Sequence, residues 1–510
     1  MLGIFGRKSD HPLADIKSVQ EFLEEVPKND AFTVVHEMTD LIESLLGQSD
    51  AFRLDHQLTV LRMIDEVSQP FVRKLLRDYF AVQPPAKFQE NRLWNQLDRF
   101  YTLSSHAYHD VLVRYCNNGR GASSIKSELA LLCVRGIGAL TGRLKMAAAR
   151  YALVDPAAWR QLAEFYSHAE AAGYQNQQVP FYPGVAGTTS VTQEFTALLV
   201  WYGVSAGSQS PLREHITERL ITHVGSKLTL GRQFDSGVLF VFDLVQPTPP
   251  MRANPESTMH AAVRFVGSGD ALNQLNGLLK TLDKDIVPDE LNMCGAKYDP
   301  ELVGEVARQL IDGLTQPLPM RRNPRRKINV NLKVANGFYK VLEQTDVGLN
   351  FSNEEGDLWE VEDISATGFR SVVADNRADG VKIGALVGSK PENVQHWGAG
   401  IVRRLSRDEN NNLHIGVEVL SPQIVGVLLF DHGFEVEEIR QIALYLNRPN
   451  DHSGEALLLL RPDTFSSSRS MSMELNEKGY LLLPLALVER GEDYDLARFR
   501  LMEQDASAES

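Results

Sequence analysis

Cysteine is scarce: Cys116, Cys133 and Cys294 are the only three in 510 residues, and none is closely spaced. That excludes a disulfide framework and a cysteine-based zinc site, and it points to a reducing compartment. Long apolar runs are missing as well. The longest uncharged stretch, Phe195 to Leu212, is broken by Ser, Gly and Gln, whereas a membrane-spanning helix needs about 20 mostly apolar residues. The opening "MLGIFGRKSDH" meets Arg7 and Lys8 too soon for a secretory apolar segment. A cytoplasmic chain without a membrane span is expected. Positive charge is in deficit, with 52 Lys+Arg against 66 Asp+Glu and a formal net charge of −14. That balance argues against broad contact with DNA or RNA, so any anion site must be local. No phosphate-cradling glycine loop and no nucleophile elbow occurs, so an enzyme is not expected.

What is present is a globular composition, 43% hydrophobic and 23% charged, in a chain long enough for about three to four domains. From residue 13 to about 225 apolar residues recur at helical spacing. Ser18 and Glu21 read as a capping box, followed by Val19, Phe22, Leu23 and Val26 on one face. Asp155, Pro156 and Gly173 punctuate a second helix at cap, first turn and stop. The run "GVLFVFDLV" at 237–245 fits a buried strand or a buried helix segment, with the strand favoured, and the four prolines of 246–255 mark a loop. Helical spacing returns from about 270 to 314. Beyond "TQPLPMRRNPRRK" the texture changes to short strands: "KINVNLKV", "WEVEDIS", "FRSVV", "GIVRRLS" and "LHIGVEVL". After Pro422 come further strand-like runs, with a hairpin turn at Asn476–Gly479.

Two stretches carry chemistry. "MRRNPRRKINVNL", 320–332, puts five cations into the seven positions from Arg321 to Lys327. Pro324 cannot sit inside a helix and turns Asn323 away from helical angles, so these arginines lie on an extended or turning arm. Planar guanidiniums grip phosphate oxygens and pair with the O6/N7 edge of guanine. Some forty residues on, "EDISATG" places Asp363, Ser365 and Gly368 in the order D-x-S-x-x-G. A carboxylate accepts from guanine N–H groups, hydroxyls donate, and glycine permits a tight turn and close approach of a ligand. "HAYHD", with His106, His109 and Asp110, lacks further ligands in helical register and reads as plain helix surface.

Together the arm and the turn resemble a PilZ domain, the small β-barrel receptor for cyclic di-GMP, whose motifs are R-x-x-x-R and [D/N]-x-S-x-x-G. Arg322 and Arg326 supply the first motif; Asp363, Ser365 and Gly368 supply the second. Residues 397–420 resemble the family's closing hairpin. The family often has an aliphatic residue after the second arginine, where this chain has Lys327, and Arg321 and Arg325 share the same spacing one position earlier. The resemblance covers about 100 of the 510 residues. It implies a six-stranded antiparallel β-barrel, and with the patterning of the rest it makes a multidomain α+β chain. The parts are an α-helical array (1–230), a mixed strand and helix extension (231–315), the barrel with its arm (316–422), a small C-terminal β unit (423–502) and a disordered tail (503–510).

It further implies that Arg321, Arg322 and Arg326 contact phosphates and guanine edges, that Asp363 and Ser365 fix a guanine, and that Gly368 allows close approach. Cyclic di-GMP would be a ligand, one or two per chain, with no cofactor and no metal. A protein partner would meet the helical region, with output in bacterial motility, pilus, adhesion or exopolysaccharide control. The alternative is a scaffold whose barrel binds no nucleotide and acts only through protein contacts.

Overall fold

The computed structural model describes residues 12–504, apart from positions 84, 236, 255, 257–259, 293–296, 316–323, 346–356, 379, 432–439, 448–453 and 477. At 431 and 440 it describes the backbone alone. Residues 1–150, 154–206 and 211–319 form one compact unit, and residues 151–153, 207–210 and 320–510 form the other.

The first unit is built of helices α1 (Ile16–Glu25), α2 (Ala31–Gly47), α3 (Leu54–Tyr79), α4 (Lys87–Cys116), α5 (Leu129–Ala148), α6 (Pro156–Ala172), α7 (Val191–Ser205) and α8 (Pro211–Val224). Its sheet comprises β1 (Thr229–Gly231), β2 (Val238–Asp243), β3 (Met251–Arg252) and β4 (Val263–Gly267), followed by α9 (Ala271–Leu282) and α10 (Pro300–Thr315). α6 starts and stops where its residues dictate: Asp155 accepts from the Ala157 N–H at 2.8 Å, and Gly173 ends the helix at φ +80. α1 departs from the expected capping box. Asp15, a charged and stronger acceptor, takes the Ser18 N–H at 3.1 Å and the Ser18 hydroxyl at 2.9 Å, so the helix begins ahead of Ser18.

α5 is the central helix of this unit, packed against α4, α6 and α7. Gly136 lets the Phe165 ring of α6 approach, since a Cβ there would stand 2.3 Å from that ring. The 237–245 run is indeed a strand, β2, in a sheet ordered β1-β4-β2-β3. Phe242 leaves it to pack edge-on against Phe195 of α7, with ring centres 5.5 Å apart. β3 lies inside the segment expected to be loop, because Met251 and Arg252 pair with Val241 and Phe240.

Beside α7's start, Glu194 accepts from the Thr189 hydroxyl at 2.6 Å. Burial pushes its carboxyl up to about 7 from an ordinary 4.5, against the pull of that hydrogen bond. The unfolded chain therefore releases this proton first, and stability falls as pH rises through that window. Glu194→Gln is expected to flatten the slope and to raise stability at about pH 8 by about 1–2 kcal/mol, read from denaturant melts at about pH 5 and about pH 8.

The second unit holds two closed barrels. The first comprises β5 (Arg326–Asn336), a short helix α11 (Phe338–Glu343), β6 (Asp357–Ser365), β7 (Gly368–Val373), β8 (Leu386–Pro391), β9 (Gly398–Arg407) and β10 (Leu413–Ser421). Alternate residues point inward, as a half-buried sheet requires, and Val334, Trp359, Val361, Val387, Val402 and Ile415 fill the ring. The second comprises β11 (Gln423–Asp431), β12 (Arg440–Asn447), β13 (Glu455–Leu460), β14 (Met471–Leu475), β15 (Lys478–Arg490) and β16 (Asp495–Gln504).

The orders around the rings are β10-β7-β6-β5-β8-β9 and β11-β12-β13-β16-β15-β14. If each barrel's strands are counted from first to sixth along the chain, both close as 1-2-3-6-5-4. The C-terminal part is thus more than a small β unit. It is a complete barrel with the strand order of the first.

The two barrels share an apolar core. Phe338, Val341, Leu386 and Ile401 of the first meet Ile424, Leu444, Leu459, Tyr494 and Leu496 of the second. A polar clasp closes over it. The Asp493 carboxylate accepts from the Phe338 N–H at 2.6 Å and from the Leu386 N–H at 2.9 Å. Arg403 of β9 forks onto Glu489 of β15 at 2.6 and 2.7 Å and reaches Glu418 at 2.7 Å.

Candidate functional site

β5 is entered through Pro324 and Arg325, both outside regular structure, and it begins at Arg326. Arg326 stands opposite Ile364 and Lys327 opposite Asp363, across the β5–β6 ladder. The end of the basic arm and the start of the D-x-S-x-x-G stretch are therefore neighbours. The Arg326 side chain is exposed and makes no hydrogen bond or ion pair among the described residues. Arg321 and Arg322 lie outside the described residues.

Two register shifts fall just before Asp363, one between Lys327 and Val330 on β5 and one between Val361 and Asp363 on the β6–β7 ladder. Bulges of this kind re-aim a side chain. Arg325 Nη1 donates to Asp363 Oδ2 at 3.1 Å. The other oxygen, Oδ1, lies 3.0 Å from the same nitrogen yet is buried and accepts no hydrogen bond among the described residues. Next to it, Glu362 is held by Arg370 at 2.9 Å and by His414 at 3.0 Å.

β6 and β7 are joined by a two-residue turn in which Ser365 faces Gly368. The Ser365 hydroxyl donates to the Gly368 carbonyl at 3.1 Å, and the Thr367 carbonyl accepts from the Val419 N–H at 3.0 Å. The space left by Gly368's missing side chain is taken by the barrel itself: a Cβ there would come within 2.3 Å of the Val417 carbonyl on β10. Gly368→Ala is thus expected to push β7 off β10 and to lower barrel stability by about 1–3 kcal/mol, measurable as a drop in melting temperature without ligand.

Of the expected site residues, Arg326, Asp363, Ser365 and Gly368 come together at one end of the first barrel. Arg325 was not singled out by sequence reasoning. The only signal for it is the R-x-x-x-R spacing that it shares with Arg321.

Elsewhere the "HAYHD" stretch lies on α4. His109 pairs with Glu164, and Asp110 accepts from Gln57 at 2.8 Å. Among the described residues no cluster of His, Cys, Asp and Glu could hold a metal ion, and no helix is long and apolar enough to cross a membrane. Cys116 and Cys133 are free thiols. A cavity of about 520 Å³ opens between α1 and α3, and its polar rim of Glu24, Lys28, Glu66 and Arg73 carries both signs of charge.

Comparison with known proteins adds one finding. Residues 17–233 match the family model described as the N-terminal domain of the cyclic-di-GMP receptor FimW. The match runs from α1 through β1, the first strand of the sheet, and stops short of both barrels. No curated protein matches the chain.

Proposed function

We propose, from the match of residues 17–233 to the N-terminal domain of the cyclic-di-GMP receptor FimW, that the chain is a non-enzymatic cyclic di-GMP receptor that signals to a protein partner. The observation that carries this reading is the meeting of Arg326 with the Asp363–Gly368 turn on adjacent strands of a closed barrel. The helical family match and the barrel motifs are separate stretches of sequence, and both lead to the same ligand.

In this reading Arg321, Arg322 and Arg326 take the phosphates and guanine edges, which suits planar, always-charged guanidiniums. Asp363 accepts from a guanine, Ser365 keeps the turn closed beside it, and Gly368 lets β7 close onto β10 beneath the turn. The acidic remainder of the chain discourages long nucleic acids, so a compact dianion is preferred. The helical region is the surface offered to the partner, and the output lies in motility, pilus, adhesion or exopolysaccharide control. The chain works in the cytoplasm, where the nucleotide is made.

Equilibrium dialysis of the full chain against labelled cyclic di-GMP tests this directly. Saturable retention of intact ligand, undiminished by excess GMP, is expected. Conversion to linear product would make the chain an enzyme, and no retention would leave the scaffold reading.

A further inference from the structure

We propose that Arg325 is a positioning residue: it holds Asp363 so that Oδ1 faces a guanine edge, and so sets selectivity for guanine. This rests on the cyclic di-GMP reading above.

Three cations are aligned with Asp363. Arg370 is its partner across the β6–β7 ladder, but its guanidinium is committed to Glu362 at 2.9 Å. Lys327 is its partner across the β5–β6 ladder and forms no ion pair with it among the described residues. Arg325 is left. Its Nη1 lies 3.0 Å from Oδ1 and donates to Oδ2 at 3.1 Å.

The pair is lopsided. An arginine and a carboxylate ordinarily make two parallel hydrogen bonds, but here one nitrogen lies near both oxygens and, among the described residues, only Oδ2 accepts. Asp363 is 17% exposed, and a buried charged acceptor left unmatched is costly. The open Oδ1 is therefore a place where a ligand donor gains more than it would in water. Guanine offers two adjacent donors, the ring N–H and the amino group. Hypoxanthine keeps the ring N–H and lacks the amino group, and adenine lacks the ring N–H. A carboxylate turned by one arginine can accept both guanine donors, whereas a free carboxylate would rotate among orientations.

The test is calorimetric titration of the full chain with cyclic di-GMP and with its hypoxanthine analogue, cyclic di-IMP. Wild type is expected to prefer the guanine ligand by about tenfold or more. Arg325→Ala is expected to shrink that preference to about threefold or less, chiefly by weakening cyclic di-GMP, while Arg325→Lys restores most of it. Thermal melts of each variant should stay near wild type, since Arg325 is 37% exposed. Equal weakening of both ligands by Arg325→Ala would make it a phosphate contact and overturn the inference. So would unchanged affinities, or a wild-type chain that does not tell the two ligands apart. Failure of wild type to bind cyclic di-GMP at all would overturn the receptor reading itself.

Discussion

A chain ending at Pro422 is expected to aggregate or stay unfolded, although it keeps every strand of the first barrel. Removing the second barrel uncovers Phe338, Val341, Leu386 and Ile401, each at most 1% exposed in the full chain. Fully uncovering such side chains forfeits about 1.5–3 kcal/mol apiece, and the sum rivals the about 5–15 kcal/mol that holds a typical domain together. The polar clasp is lost as well, because Asp493 no longer accepts from the Phe338 and Leu386 N–H groups. Asp493→Ala isolates that contribution. It leaves two backbone donors without their acceptor and is expected to cost about 2–4 kcal/mol. Solubility and circular dichroism of the truncated chain, with denaturant melts of Asp493→Ala, measure both effects. A soluble, cooperatively melting truncation would show that the shared core is dispensable.

The expected strands of the first barrel were legible because each is a short β-branched or aromatic run bounded by turn residues, as in "FRSVV" and "LHIGVEVL". So was the nearness of Arg326 to the Asp363–Gly368 turn, because Pro324 and the D-x-S-x-x-G order constrain backbone as well as chemistry. The ring order of the second barrel was not. It closes through pairing of residues 455–460 with 495–500, and nothing local in either run names the other as its partner. α11 escaped notice because six residues, Phe338–Glu343, are too few to display a helical period. Arg325 escaped for another reason. In a run of near-identical arginines, sequence spacing cannot say which guanidinium meets Asp363, and only the register of β5 against β6 decides it.

Arg326→Ala and Asp363→Ala are each expected to weaken cyclic di-GMP binding by about 1–3 kcal/mol, or roughly ten- to hundredfold. The Arg326 side chain is exposed and has no hydrogen-bond or ion-pair partner among the described residues, so truncating it takes nothing from the folded barrel. Among the described residues Asp363 lends one partly exposed ion pair to stability, a contribution of about 0–1 kcal/mol. Losses of affinity at unchanged melting temperature are therefore the signature of both variants. A fallen melting temperature with affinity preserved would make Asp363 structural instead.

The most direct measurement is isothermal titration of cyclic di-GMP into the full wild-type chain and into the double variant Arg326→Ala/Asp363→Ala. The account predicts saturable heat with wild type and none above dilution with the double variant, at matching melting temperatures. Silence from wild type, or the same affinity in both proteins, would contradict it.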